Sequence, residues 1–196
     1  MGSIAGAMLM ILLCGMSPAQ GHPVVEGVIG FRSGLLHPLL TPAHLLALLA
    51  LGLMLSQQTG KHRNAVSILF AAVLLAATGA IAAAFVFTEG SNVLLASAVV
   101  AGSLTALSRP LPLALTACLA AIVAGAMQFD SVPQEIYAQP TLVSLAGTAV
   151  AAGLTVILIA AYAGKVRQEW GRIAVRILGS WTAAAALLVL ASRMSR

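Results

Sequence analysis

Two histidines and two prolines lie close together at the start of a long apolar segment. They are His37, Pro38, Pro42 and His44. Ionisable side chains inside a membrane are costly, so they usually face a cavity or the interior of a helix bundle. Proline interrupts a helix and frees backbone carbonyls. Together these features are typical of an ion or substrate site in a transporter.

The spacing of the two histidines sets a condition on such a site. Seven residues are two turns of a regular helix, which puts both imidazoles on one face but about 10 Å apart along the axis. A helix broken at Pro38 and Pro42 would bring them closer. Neutral imidazole is a common ligand for nickel, copper and zinc. We therefore predict a metal site at His37 and His44. The alternative is that each imidazole caps a helix end or bonds a freed carbonyl.

A second candidate ligand pair lies nearer the start of the chain, at His22 and Glu26. If the chain is cleaved before His22, the free amine and the imidazole can chelate a divalent metal together, and Glu26 can assist. A disordered terminus is the simpler alternative.

The remaining polar residues suggest solvated loops. His62 stands between Lys61 and Arg63, as expected of a basic loop. Asp130 and Glu135 fall in the longest predicted outer loop, 128–140, where carboxylates are solvated or attract cations to a pore mouth. The chain has no hydrolase, metalloprotease, phosphate-loop or CxxC motif, so we expect no enzyme.

Composition indicates the class of protein. Of the 196 residues, 60% are hydrophobic and 8% are charged, whereas a soluble domain carries about 25% charged residues. The chain is therefore predicted to be a polytopic membrane protein. Its net charge of +5 needs no nucleic-acid partner, because the basic residues fall mostly in short loops.

The N-terminal region predicts a signal peptide. A short apolar run at 3–16 is followed by the small residues Ala19 and Gly21, which suit a cleavage site before His22. The run is not preceded by Lys or Arg, so the alternative is an uncleaved extra helix. We assign 1–21 to this segment and 22–196 to a single transmembrane domain.

Six further apolar segments predict an all-α bundle of six transmembrane helices, since each is near the ~20 residues that cross a bilayer. They span 33–55, 64–87, 91–108, 110–127, 141–164 and 173–192. Alternate loops hold most of the basic residues, which are Lys61, Arg63, Arg109, Lys165, Arg167 and Arg172, and Arg176 lies just inside the last helix on the same side. The positive-inside rule then predicts an inner-membrane protein with an extracytoplasmic mature N-terminus.

The stretch from Gly30 to Leu53 resembles the first-helix signature of the HupE/UreJ family, roughly G-F-x-H-P-x-x-G-x-D-H-x-L-A-M-x-x-V-G. The signal-like start, the histidine at the mature terminus and the six short-looped helices are also similar. Members are hydrogenase and urease accessory membrane proteins regarded as secondary nickel or cobalt permeases. The resemblance implies transport of Ni²⁺ (or Co²⁺ or Cu²⁺), with His37 and His44 in the positions of the family histidines.

Several residues of the family pattern are replaced in this chain. Ala43 stands where the family has Asp, and Thr41 replaces a glycine. The family also has a His-rich segment near the end of its fourth helix, whereas 126–135 here has no histidine. Two hypotheses follow. The protein moves or handles a divalent transition metal, or it is a non-transporting subunit of a larger membrane complex that kept the fold and lost the metal site.

Overall fold

The computed structural model describes residues 30–83, 89–132 and 140–195, with the side chains of 140 and 141 excepted. His22, Glu26, Glu135 and the signal-like segment lie outside the described residues. Within the described residues every regular element is a helix. The seven helices are α1 (Phe31–Leu40), α2 (Pro42–Ser56), α3 (Gly60–Ala82), α4 (Gly90–Leu107), α5 (Leu113–Asp130), α6 (Pro140–Ala163) and α7 (Glu169–Met194).

The first predicted span is a pair of helices with a sharp bend between them. Helices α1 and α2 meet at Thr41 and are inclined by 75°. Pro42 occupies the first turn of α2, where its missing N–H costs nothing. At 1.5 Å per residue, α1 is about 15 Å long and α2 about 22 Å, so neither alone crosses a ~30 Å hydrocarbon core.

Helix α2 is the centre of the bundle. It contacts α1, α4, α5, α6 and α7, whereas α3 packs against α5 and α6 at one side. Nearly every residue of α2 from Ala47 onward is apolar, and most of these side chains are buried. A helix that is apolar around its whole circumference belongs in the interior. His44 thus belongs to the most buried helix of the described residues, and α1, which carries His37, adjoins that helix at Thr41.

The short helix α1 is held against the start of α6 by two glycines. A Cβ atom added at Gly34 would overlap the carbonyl of Ser144, and one added at Gly147 would overlap the carbonyl of Phe31. Small residues let helix backbones approach closely in lipid, where packing replaces the hydrophobic effect as the force between helices. This contact fixes the position of α1, and with it that of His37.

The prediction of an all-α polytopic bundle is confirmed. Among the described residues, five helices are long and apolar enough to cross a membrane, and the bent pair α1–α2 makes a sixth if it counts as one span. Each predicted segment corresponds to one helix or to this pair. The predicted boundaries differ from the helix ends by one to five residues. The difference that bears on the histidines is at the end of α5, which continues to Asp130 rather than ending at 127.

Candidate metal site

The break between α1 and α2 brings His37 and His44 together. Their ring centres are 4.9 Å apart and the ring planes are inclined by 84°, whereas a straight helix would separate the residues by about 10 Å along its axis. Two imidazoles bound to one ion through nitrogens about 2.0–2.1 Å away have ring centres roughly 5 Å apart. The observed separation therefore suits two ligands of one ion.

A third ligand-type side chain reaches this pair from α5. The Nε2 atom of His44 lies 2.8 Å from Oδ2 of Asp130, within hydrogen-bond distance. The side chain of His44 is fully buried and that of Asp130 is 11% exposed. The expectation that Asp130 lies in a solvated loop is wrong, because α5 extends to this residue and directs its carboxyl group into the bundle.

The start of α4 holds the end of α5 in place. A Cβ atom at Gly90 would lie 2.7 Å from Cβ of Asp130 and 2.8 Å from the carbonyl oxygen of Ala126. Only glycine leaves room for this approach of the two helices. A larger residue at 90 would push Asp130 away from its present position, so the contact between Asp130 and His44 depends on Gly90.

Near His37, a hydrogen bond from another helix replaces one that Pro38 removes from α1. Pro38 has no N–H, so the carbonyl of Gly34 loses its helical donor. The hydroxyl of Thr148 on α6 donates to this carbonyl at 3.2 Å. Thr148 is buried, so without this bond the carbonyl would lack both water and a helical partner. This bond stabilises the broken helix next to His37.

Two further polar atoms lie buried at the break. Within the described part of the chain, neither Nδ1 of His44 nor the hydroxyl oxygen of Thr41 has a hydrogen-bond partner. The described residues contain no set of three His, Cys, Asp or Glu side chains already arranged around one metal position. The candidate site is therefore a close pair of imidazoles, one of which contacts a carboxyl group.

The basic loops meet at the opposite end of the bundle. A cavity of about 340 Å³ there is lined by residues that include Gln57, Arg109 and Arg172, and its described lining has no carboxylate. Guanidinium groups repel cations, so this cavity does not suit a metal ion.

The expectation that His62 lies in a solvated loop is wrong. It belongs to the first turn of α3, and its Nε2 lies 2.6 Å from the hydroxyl of the buried Thr116.

The fold and these side chains define a class: a polytopic helical membrane protein with two histidines in contact at a broken helix, one of them fully buried. A model of the family described as HupE / UreJ protein matches residues 9–189. The chain belongs to the HupE/UreJ family, as the resemblance of its first helix predicted. No curated protein and no solved structure matches it. Membership supports a membrane role in nickel or cobalt handling, as an accessory or transport protein.

Sequence reasoning missed the contact of Asp130 with His44, although a signal was available. Gln128 and Asp130 end a long apolar run in the region that corresponds to the His-rich segment of the family. A polar residue there need not be a loop residue. Gln128 is in fact fully buried, and its Nε2 donates to the hydroxyl of Thr78 at 2.6 Å. The predicted ligands His22 and Glu26 lie outside the described residues.

Proposed function

We propose that this protein moves or handles a divalent transition metal, most suitably nickel, through a site built on His37 and His44. The observation that supports this proposal is the 4.9 Å approach of the two imidazoles at a helix break inside a membrane bundle. Imidazole nitrogens suit nickel, copper and zinc. Among borderline divalent metals, family membership favours nickel or cobalt.

Asp130 supplies the charge that the family places at the position of Ala43. A divalent cation that loses water in a buried site needs compensating negative charge. Asp130 is the acidic group adjoining His44, and it comes from another helix. A site with two imidazoles holds an ion less tightly than a full cage of ligands does, and a transported ion must be able to leave.

We further propose that the site faces the extracytoplasmic side of the inner membrane. The first turns of α4 and the end of α5 lie at the histidine end, and the arginine-lined cavity lies at the other. The positive-inside rule assigns the arginine-lined end to the cytoplasm. The ion then enters from the extracytoplasmic side, at the end of the bundle that holds Asp130.

A second candidate is a non-transporting accessory subunit of a larger membrane complex. The observation that favours it is that the described residues hold no preformed three-ligand set. Under this reading the contact between His44 and Asp130 only joins α2 to α5. The two functions differ in whether the purified protein binds a metal.

The deciding experiment measures Ni²⁺, Co²⁺ and Cu²⁺ binding to the detergent-solubilised protein by calorimetry. The variants are the double substitution His37→Ala/His44→Ala and, as a matched control, His62→Ala. The control removes an imidazole from the other end of the bundle, where it contacts Thr116. We expect one ion per chain in the wild type and in His62→Ala, and loss of binding in the double variant.

A wild-type protein that binds none of the three ions would contradict the transport proposal and favour the accessory subunit. Binding that survives the double substitution would contradict the assignment of the site. A folding control is needed in both cases, and size-exclusion chromatography with circular dichroism supplies it.

A further inference from the structure

The hydrogen bond between His44 and Asp130 bears on which nitrogen of His44 is available to a metal. A neutral imidazole carries its proton on one ring nitrogen and a lone pair on the other. The nitrogen that faces Asp130 is Nε2, at 2.8 Å. The other nitrogen, Nδ1, is buried and has no hydrogen-bond partner among the described residues.

These two facts favour one tautomer. If Nδ1 carried the proton, a buried N–H would have no acceptor within the described structure, and buried N–H groups without a partner are rarer than under-used acceptors. If Nε2 carries the proton, it donates to the carboxylate and Nδ1 keeps its lone pair. The second arrangement pairs the donor and leaves a ligand atom unoccupied.

We propose that Asp130 is a positioning residue that fixes the Nε2–H tautomer of His44, so that Nδ1 is the atom of His44 that binds the metal. This rests on the proposed function. Histidines that bind metals commonly donate their other ring N–H to a carboxylate, which fixes the ring orientation and raises the basicity of the ligand nitrogen. The carboxylate in this chain comes from α5, whereas position 43 next to His44 is alanine.

The arrangement also assigns a chemical preference to the site. His44 would then present a neutral nitrogen to the ion, while the negative charge of Asp130 stays behind the ring. Borderline divalent ions such as Ni²⁺ and Co²⁺ accept such ligands, whereas Mg²⁺ and Ca²⁺ require direct oxygen ligands. We expect Mg²⁺ not to compete for the site even at large excess.

The first test reads the tautomer without any metal. In protein labelled with ¹⁵N-histidine, protonated and unprotonated ring nitrogens differ widely in chemical shift, and a His44→Gln sample identifies the signals of His44. We expect Nε2 protonated and Nδ1 unprotonated in the wild type. In Asp130→Leu we expect this preference to be lost. Protonation of Nδ1 in the metal-free wild type would overturn the proposal.

The second test measures Ni²⁺ affinity in Asp130→Asn, Asp130→Leu and Glu89→Gln. Asparagine keeps an acceptor oxygen and leucine does not. Glu89 is an exposed carboxylate at the same end of the bundle that accepts a hydrogen bond from Asn92, so it controls for general attraction of cations. We expect a loss of 10- to 100-fold for leucine, a smaller loss for asparagine, and little change for Glu89→Gln.

The two proposals fail in different ways. Wild-type affinity in Asp130→Leu, or an equal loss in Glu89→Gln, would overturn the positioning role while leaving the metal site of His37 and His44 in place. A wild-type protein that binds no metal would overturn the proposed function, and the tautomer measurement would still decide the role of Asp130.

Discussion

At the scale of single residues, the candidate site depends on side chains that compensate for a broken helix. Pro38 removes the donor for the carbonyl of Gly34, and the hydroxyl of Thr148 replaces it. Asp130 likewise places a carboxyl group beside His44. The neighbouring position 43, where the family has Asp, is alanine in this chain. Both compensating groups come from other helices, so each links the bent segment to the rest of the bundle.

Thr148→Val tests the first of these links. Valine has nearly the same shape but cannot donate a hydrogen bond. We therefore expect the free energy of unfolding to fall by about 0.6 to 1.7 kcal/mol. Thr155→Val is the matched control on the same helix, because the hydroxyl of Thr155 bonds only the carbonyl of Ala151 in its own helix. Thermal unfolding in detergent measures both. Equal stability of the two variants would contradict a supporting role for Thr148.

At the scale of elements, glycines set the distances between helices. Gly34 and Gly147 join α1 to α6, Gly90 joins α4 to α5, and Gly102 with Gly179 joins α4 to α7. In each contact an added Cβ atom would overlap atoms of the neighbouring helix. Close backbone approach at these glycines thus sets the helix separations, beside a core of large buried side chains such as Phe70 and Met54.

Gly90→Ala tests the contact that positions Asp130. The added Cβ would meet Cβ of Asp130 and the carbonyl of Ala126, so we expect α4 and α5 to separate. The expected cost is about 1–3 kcal/mol in unfolding free energy, together with weaker Ni²⁺ binding. Thermal unfolding and calorimetry measure the two effects.

The control for this substitution is Gly125→Ala on α5. An added Cβ at 125 meets nothing within 4 Å, and alanine favours a helix over glycine by up to ~1 kcal/mol. We therefore expect unchanged or slightly higher stability and unchanged binding. If Gly90→Ala behaves in the same way as Gly125→Ala, the packing of α4 on α5 does not hold Asp130.

At the scale of the whole molecule, the two ends of the bundle differ in charge and chemistry. The histidine end has the helix break and Asp130, and the other end has the arginine-lined cavity. Of the five helices long enough to span a membrane alone, α3 and α7 are the most exposed, with 22% of their apolar stretch buried against 44% in α4 and α5. Their large apolar side chains face the lipid, whereas α2 is enclosed by protein.

Cysteine labelling in intact bacterial cells tests the proposed orientation. In a background with Cys14 and Cys118 replaced by alanine, Asn92→Cys lies in the first turn of α4 and Lys61→Cys in the first turn of α3, both at exposed positions. We expect a membrane-impermeant maleimide to label Asn92→Cys directly and Lys61→Cys only after permeabilisation. The reverse pattern would place the histidine end in the cytoplasm.

The sequence by itself determined the class, the number of apolar segments and the residues of the helix break. These properties follow from local features: the length of apolar runs, the placement of basic loops and the missing N–H of proline. The prediction that a break could bring His37 and His44 together came from their spacing and from the two prolines between them. The local sequence could not give the distance between the two imidazole rings, because the bend of 75° depends on how α1 packs against α6.

Only the tertiary structure decided that Asp130 belongs with His44. The two residues are 86 positions apart, and nothing in the local pattern links them. Their contact depends on α5 continuing three residues beyond its predicted end and on Gly90 letting α4 approach. His62 was misplaced for the same reason, since its partner Thr116 is 54 positions away. Long-range pairs of polar residues are set by helix packing, and local sequence patterns do not contain that information.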